Sequence, residues 1–332
     1  MTRGAEPFNF DGLHTAYPAL RDHIVANGAH VSPRGSGTTE VLGMSFSVRD
    51  AVNRGVPVGV GRKLGVKMQV IDGITLLAGQ SYHDVNTRLV GIMDEFGDEF
   101  PADDDQSVPA EDLALLKSRY PYAKAGDRFQ QGAYGPRIAE QMRKIEQQLR
   151  ADRYTRQAVA ILWSETDRGP WKDRPCATQY QFMYRDGHLD MFVTFRSNDL
   201  RRGVAYDVGA AGQVQAALAH VLGWEPGTMH WYAASMHIYD EDLQWMIDNI
   251  KHWKNTTDMA VDNPREDWGP EWSALEPGTY SSWGELQDRY TQMLDAARYG
   301  EDFAPVGAVE EWYWEKLDKL DRDTAMDRPS VI

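Results

Sequence analysis

The sequence predicts a mixed α/β fold, and two observations lead to that prediction. Residues 178–195 form two runs of alternating apolar and polar side chains around Asp186-Gly187, a pair that suits the tight turn of a β-hairpin. Residues 206–222 carry apolar side chains at helical spacing and stop at Gly223, a typical residue after the last turn of a helix. Strands and helices therefore alternate along the same chain.

The remaining elements follow from the same two periodicities. Helical spacing predicts helices over residues 1–30, 67–77, 110–118, 138–152 and much of 241–332. Short apolar runs predict strands over residues 40–48, 158–163 and 229–239. With no internal repeat and no separating linker, residues 1–332 are expected to form one domain, with an acidic insertion near 92–128 and a Trp-rich C-terminal region over 241–327.

Composition narrows the class of protein. With 332 residues, 42% of them hydrophobic, the chain can bury a full core. Its formal net charge of -15 argues against a general nucleic-acid binder, although a few gathered arginines would still hold a small anion. The sequence has no apolar run long enough to cross a membrane and no apolar signal segment, so we expect a cytoplasmic protein, in the host cytoplasm if a phage encodes it.

Reactive side chains concentrate between Arg174 and Tyr239. This stretch holds Cys176, the single cysteine of the chain, which leaves a free thiol and suits a reducing compartment. It also holds an Arg-Ser pair, a carboxylate in an apolar helix and a His-x-Tyr sequence, and that density predicts one active site. The nine histidines show no ligand spacing and there is no second cysteine, so no metal site is expected.

These residues resemble the thymidylate synthase and pyrimidine-nucleotide hydroxymethylase family. The motifs in family order and spacing are Pro175-Cys176, Gln181-Phe182, Arg196-Ser197-x-Asp199, Gly203, Asp207 and His237-Ile238-Tyr239. Weaker matches are Arg34 with Gly37-Thr38, Asp72, and Tyr134-Gly135. The resemblance implies an α/β (α+β) fold with a large mixed β-sheet flanked by helices, and a homodimer formed sheet to sheet. The acidic insertion and most of the C-terminal region have no counterpart in the family pattern.

The resemblance implies three catalytic residues. Cys176 would be the nucleophile that adds to C6 of a pyrimidine, which prepares C5 to attack the methylene group carried by tetrahydrofolate. Neighbouring arginines, Arg196 among them, are expected to favour the thiolate. Asp72 would order water and shuttle protons where the family uses a glutamate, and Asp207 would contact the base.

The same resemblance implies the binding residues. The ligands of the 5'-phosphate would be Arg34, Arg156, Arg196 and Ser197. Arg156 would come from the partner subunit of the homodimer, and Gln157 stands where the family usually has a second arginine. The sugar 3'-hydroxyl would contact His237 and Tyr239, which share one face of a strand. On the folate, Asp199 would meet the pterin, Gly203 would allow close approach, and the tail ending at Ile332 would close the site.

Asp207 departs from the pattern of thymidylate synthases, and this difference predicts which pyrimidine base the protein accepts. Thymidylate synthases present an asparagine there, whose amide offers both an acceptor and a donor to uracil. An ionised aspartate accepts from the amino group and protonated N3 of cytosine and repels O4 of uracil. Ala177 replaces a histidine, and no tryptophan precedes Trp163 to shield the intermediate, which favours addition of water. We therefore expect conversion of dCMP, 5,10-methylenetetrahydrofolate and water to 5-hydroxymethyl-dCMP and tetrahydrofolate.

Several alternatives stay open. CMP in place of dCMP, or thymidylate synthesis from dUMP, would use the same residues. A hydrolase using Cys176 with His237 would need no folate, and a non-catalytic nucleotide- or RNA-binding dimer would keep its function after Cys176→Ala. The residues do not distinguish phage DNA modification from a nucleoside-antibiotic pathway.

Overall fold

The computed structural model describes residues 8–54, 66–81, 97–121, 123–169, 171–250 and 279–325. The strands are β1 (Asn9–Phe10), β2 (Ala29–Val31), β3 (Thr38–Val48), β4 (Asp98–Glu99), β5 (Arg128–Phe129), β6 (Val159–Ile161), β7 (Ala177–Arg185), β8 (His188–Phe195), β9 (Asn198–Asp199) and β10 (Glu225–Tyr239). The helices are α1 (Leu13–Asn27), α2 (Ala51–Arg54), α3 (Val66–Ala78), α4 (Ala110–Arg119), α5 (Gly135–Ala151), α6 (Ala205–Leu222), α7 (Asp240–Asn249), α8 (Trp283–Tyr299) and α9 (Gly307–Ala325).

Eight strands form one mixed sheet, in the order β1-β3-β10-β8-β7-β6, with β2 paired to β3 and β9 paired to β10. The long strand β10 runs antiparallel to β3 and parallel to β8 and β9. Strand β7 joins β8 through the predicted hairpin, whose turn residues Asp186 and Gly187 have φ of 51° and 91°. The structure confirms the large mixed sheet flanked by helices.

One face of this sheet forms the core. A row of side chains in register crosses five strands, and each is at most 2% exposed: Phe46, Trp231, Val193, Tyr180 and Ala160. Helix α6 contacts the sheet through β8 and β10, and α1 contacts it through β3. The buried row and the apolar sides of these helices make up the main hydrophobic core.

The opposite face keeps apolar side chains accessible. Tyr232 pairs with Thr194 across the strands and is 41% exposed, and Ile161 at the sheet edge is 49% exposed. On the same face the rings of Phe192 and His230 stack with centroids 4.5 Å apart. This is the face on which the expected sheet-to-sheet homodimer would form.

One predicted helix is shorter in the structure, and the acidic segment contains a core. Of the helix expected over residues 1–30, the described residues from 8 onward form a helix at Leu13–Asn27, because Asn9–Phe10 and Ala29–Val31 pair with β3 instead. The acidic segment near 92–128 has a small core of its own, in which Phe100, Tyr120 and Phe129 pack edge to face beside Leu116. Its acidic side chains lie around this core, and the part of the segment before residue 97 lies outside the described residues.

The C-terminal helices α8 and α9 pack on α3, α5 and α6. The backbone N–H of Trp283 donates to Glu146 Oε2 on α5 at 2.8 Å, and the hydroxyl of Tyr313 donates to Gln213 on α6. The hydroxyl of Thr291 donates to the carbonyl of Ala78 at the end of α3. None of the helices in the described ranges is long and apolar enough to cross a membrane.

Candidate active site

A cleft opens where α3 and α6 meet the loops before α5 and β7. Three predicted catalytic residues line it together, namely Cys176, Asp72 and Asp207. They come from three separate parts of the chain, and the fold brings them to one place. The wall also includes side chains to which the sequence assigned no role: Gln130, Tyr134, Asp173 and Arg174.

Cys176 is held at the start of β7 by Arg196 at the end of β8. The backbone N–H of Arg196 donates to the Cys176 carbonyl at 2.9 Å. Its guanidinium donates through Nε to the Pro175 carbonyl at 2.9 Å and through Nη2 to the Arg174 carbonyl at 3.2 Å. Nη2 also lies 3.7 Å from the Cys176 Sγ. Arg196 therefore fixes the loop that carries the nucleophile and places a positive charge beside the thiol.

Burial outweighs that charge. Desolvation raises the pKa of Cys176 to about 11, while Arg196 and Arg34 lower it and Asp207 raises it further. The arginines thus act on the pKa of Cys176 in the predicted direction, but desolvation has the larger effect in the ligand-free protein. The resting nucleophile is a neutral thiol that must lose its proton during the reaction.

The two carboxyl groups of the cleft are also shifted. Burial raises the pKa of Asp72 to about 7. Burial raises the pKa of Asp207 to about 8, Asp72 adds to this, and a hydrogen bond from Asn198 opposes it. The sequence interpretation takes Asp207 as ionised, whereas burial favours its neutral form at neutral pH in the absence of substrate. Its carboxyl group is mostly protonated there and offers one donor and one acceptor.

Two residues that hold this site were given no role by sequence reasoning. The hydroxyl of Tyr134 accepts the backbone N–H of Ala177 at 3.1 Å, next to the nucleophile. The amide nitrogen of Asn198 donates to Asp207 Oδ2 at 2.9 Å. Asn198 occupies the unspecified position of the Arg196-Ser197-x-Asp199 motif, so its place in the motif was the available signal.

The expected sugar ligands lie at the end of β10. Strand β9 pairs there, with Asp199 opposite His237. The His237 and Tyr239 rings meet edge to face with centroids 5.1 Å apart, as residues on one side of a strand should. Burial lowers the pKa of His237, so its imidazole is neutral at pH 7 and offers one donor and one acceptor.

The expected phosphate ligands are only partly assembled. Arg34, with φ of 54°, lies in the turn before β3, and β3 pairs with Tyr239 through Thr38. The half-buried Ser197 follows Arg196 directly. Arg156 is exposed before β6. None of the four predicted phosphate ligands is among the residues that line the cleft.

The expected folate ligands have local roles in this structure. Asp199 Oδ1 accepts the backbone N–H of Arg201 at 2.8 Å and so caps the turn Leu200–Val204. A side chain at Gly203 would lie 2.9 Å from the Asn198 amide nitrogen and 3.1 Å from Asp207 Oδ2. Ile332 and the tail that ends with it lie outside the described residues.

Comparison with known proteins identifies the family of this chain. The thymidylate synthase family model matches residues 15–267. The chain is 26% identical over 230 residues to the deoxyuridylate hydroxymethyltransferase of Bacillus phage SP01, an alignment that covers 68% of this chain and 57% of the phage protein. It is also 26% identical over 245 residues to thymidylate synthase 1/2 of Encephalitozoon cuniculi, covering 71% of this chain and 81% of that protein. Since the family model covers well over half of its length, the chain belongs to the thymidylate synthase family.

Proposed function

We propose that this protein transfers a one-carbon unit to C5 of a pyrimidine nucleoside monophosphate, with dCMP as the substrate and 5-hydroxymethyl-dCMP as the product. The observation that carries the proposal is the meeting of Cys176, Asp72 and Asp207 around one cleft. The motifs of the family account for these residues, and the phage relative is named as a hydroxymethyltransferase.

Cys176 starts the reaction by addition to C6 of the base. The sulfur forms a bond to C6, the C5–C6 π electrons move toward C4, and N3 gains electron density that requires a proton. A protonated Asp207 supplies that proton to N3 of cytosine while its other oxygen accepts from the 4-amino group. The base is then an enamine whose C5 is the nucleophile.

The thiol proton must leave as the sulfur adds. Asp72 lines the same cleft, and its pKa of about 7 suits a group that takes up and returns protons near neutral pH. Arg196, 3.7 Å from the sulfur, stabilises negative charge that develops there. These two residues offset the cost of ionising a buried thiol.

The co-substrate is 5,10-methylenetetrahydrofolate, which supplies the carbon atom. In this proposal Asp199 and Gly203 face the folate. Ala177 next to the nucleophile, and the lack of any tryptophan before Trp163, favour water as the final nucleophile. Once C5 is bonded to the one-carbon unit, the C5 proton is lost and the carbon–nitrogen bond to tetrahydrofolate breaks. Water then adds its hydroxyl group to that carbon, N3 gives up its proton and Cys176 leaves C6. The products are the hydroxymethylated base and tetrahydrofolate.

The nucleotide is held through its phosphate and sugar. Arg34, Arg196 and Ser197 bind the 5'-phosphate, because guanidinium groups match phosphate oxygens in charge and geometry. Arg156 reaches the phosphate from the partner subunit of a homodimer. The exposed apolar face of the sheet, with Tyr232 and Ile161, supports that assembly.

One alternative substrate has specific support. The phage relative is named for deoxyuridylate, and a protonated Asp207 can donate to O4 of uracil and accept from its N3–H. The corresponding reaction would hydroxymethylate dUMP with the same nucleophile.

The test is to incubate the protein with methylenetetrahydrofolate and with dCMP, CMP or dUMP in separate reactions, and to identify the products by mass. We expect hydroxymethylated dCMP as the main product and no turnover by Cys176→Ala, which should still bind the nucleotide. A methylated base with dihydrofolate would establish a thymidylate synthase instead. Turnover of none of the three nucleotides would contradict the proposal.

A further inference from the structure

Asn198 lies between an indole and the carboxyl group that meets the base. The Trp231 indole donates through Nε1 to Asn198 Oδ1 at 3.1 Å, and Asn198 Nδ2 donates to Asp207 Oδ2 at 2.9 Å. An indole N–H can only donate, so it fixes the amide with its oxygen toward Trp231 and its N–H group toward Asp207. Asn198 and Trp231 are each only 2% exposed, so the bond between them is shielded from water, while the Asp207 end of the chain of bonds faces the cleft.

The Trp231 indole, which donates to Asn198, is itself held in place by packing. The Trp231 ring stacks between Phe195 and Phe46, with centroid distances of 4.7 and 5.9 Å. Gly203 leaves room for the hydrogen bond between Asn198 and Asp207, since a side chain at position 203 would contact both the Asn198 amide nitrogen and Asp207 Oδ2. The contact between Asn198 and Asp207 therefore depends on packing from two separate elements.

We propose that Asn198 is a positioning residue that determines which oxygen of Asp207 carries the proton, and thereby which pyrimidine the cleft accepts. The inference rests on the proposed function, because it assigns Asp207 to the base. An amide N–H on Oδ2 requires that oxygen to accept, so the proton of the neutral carboxyl group resides on Oδ1.

A fixed proton position creates the discrimination. Cytosine presents an acceptor at N3 and a donor at its 4-amino group, whereas uracil presents a donor at N3 and an acceptor at O4. A carboxyl group with its proton free to occupy either oxygen matches both patterns. With the proton confined to Oδ1, the carboxyl group presents its donor and its acceptor in one fixed order. A base that presents the opposite order then places donor against donor and acceptor against acceptor in a buried site.

Other ionisable groups act on Asp207 without distinguishing its oxygens in this way. Asp72 on α3 and Asp199 on β9 raise its pKa. The charge of Asp207 in turn raises the pKa of three neighbouring groups, namely Cys176, Tyr134 and Tyr180. The Asn198 hydrogen bond is directional and contacts one oxygen. Loss of this bond should therefore change both the preference between the two bases and the pH dependence of the nucleotide Kd.

The test uses the full-length protein and calorimetric Kd values for dCMP and dUMP, without folate. Asn198→Ala removes the amide, and Trp231→Phe removes the indole donor while keeping an aromatic ring in the stack. We expect the ratio of the two Kd values to move toward one by roughly 5- to 30-fold in both variants, which corresponds to a lost hydrogen bond of about 1 to 2 kcal/mol. Trp171→Phe is the matched control, because its indole donates to Thr166 and its ring packs on Phe129.

The outcomes separate this inference from the proposed function. Variants that bind a nucleotide with a Kd ratio within about twofold of the wild type overturn the inference alone. A wild-type protein that binds neither nucleotide overturns the proposed function, and the inference with it. If Asn198→Ala fails to fold, Trp231→Phe decides, and a change in the pH dependence of dCMP binding in that variant supports the role.

Discussion

At the scale of single residues, the environment of Cys176 sets its reactivity. Burial raises the pKa of the thiol to about 11, and Arg196 beside it acts in the opposite direction. Because only the thiolate is nucleophilic, the rate at which iodoacetamide labels this single cysteine should rise roughly tenfold per pH unit from neutral pH to about pH 10.

Removal of the nearby charge should slow this labelling. We expect Arg196→Met to lower the rate at every pH below about 10, since the thiol loses a group that stabilises its ionised form. Arg143→Met is the control, because Arg143 is partly exposed and pairs with Asp288 away from the cleft. A labelling rate that is already constant at pH 8 would contradict the account of a buried neutral thiol.

The carboxyl group of Asp207 links stability to pH. Its pKa in the folded protein, about 8, lies above its ordinary value of 3.8, so between these two values the folded chain holds a proton that the unfolded chain has lost. The contribution of Asp207 to stability therefore falls as pH rises through this window. Asp207→Asn removes the penalty, and its Tm relative to the wild type should increase between about pH 5 and about pH 9. A Tm difference that does not change with pH would contradict the burial of this carboxyl group.

Gly203 has two candidate roles that kinetics can separate. If it makes room for the contact between Asn198 and Asp207, Gly203→Ala should reduce the preference between dCMP and dUMP. If it faces only the folate, the same change should raise KM for the folate and leave the base preference intact. We expect a rise in KM for the folate together with a roughly fivefold loss of base preference, because the added methyl group would also meet both polar atoms.

At the scale of elements, local side-chain patterns were enough to predict some helices and strands but not others. The hairpin of β7 and β8 and the helix α6 follow from side-chain periodicity and from Asp186-Gly187 and Gly223, and the structure confirms them. Strands β1 and β2 have two and three residues and exist only through pairing with β3, a contact that periodicity cannot show. The small aromatic core of the acidic segment likewise depends on Phe100 and Phe129 meeting across the fold.

The C-terminal helices support the helices that carry the site. Tyr313 on α9 is fully buried and its hydroxyl donates to Gln213 on α6, the helix that also holds Asp207. Tyr313→Ala should lower the free energy of unfolding by about 3 to 5 kcal/mol, because it leaves a cavity and an unpaired amide. Urea denaturation measures this, with Tyr299→Ala, at a position 64% exposed, as a control expected within about 0.5 kcal/mol of the wild type. A Tyr313→Ala variant as stable as that control would show that these helices do not brace the site.

At the scale of the whole molecule, the sequence indicated which residues meet but not their chemical state. Motif order was sufficient to predict Cys176, Asp72 and Asp207 as one set, and the fold places all three on one cleft. Motif order could not show that burial favours the neutral forms of the thiol and of Asp207, because desolvation depends on the neighbours that the complete fold supplies. Asn198 was overlooked for the same reason, since its partner Trp231 lies on another strand, 33 residues away.

We propose that Asp207 directs the thymidylate synthase fold of this protein toward cytosine. The most direct measurement is kcat/KM of Asp207→Asn and of the wild type with dCMP and dUMP, each with methylenetetrahydrofolate. An amide at this position offers a fixed donor and acceptor and cannot give a proton to N3 of cytosine. We predict that the variant loses at least tenfold in its preference for dCMP over dUMP. A variant that keeps the wild-type preference would contradict the account.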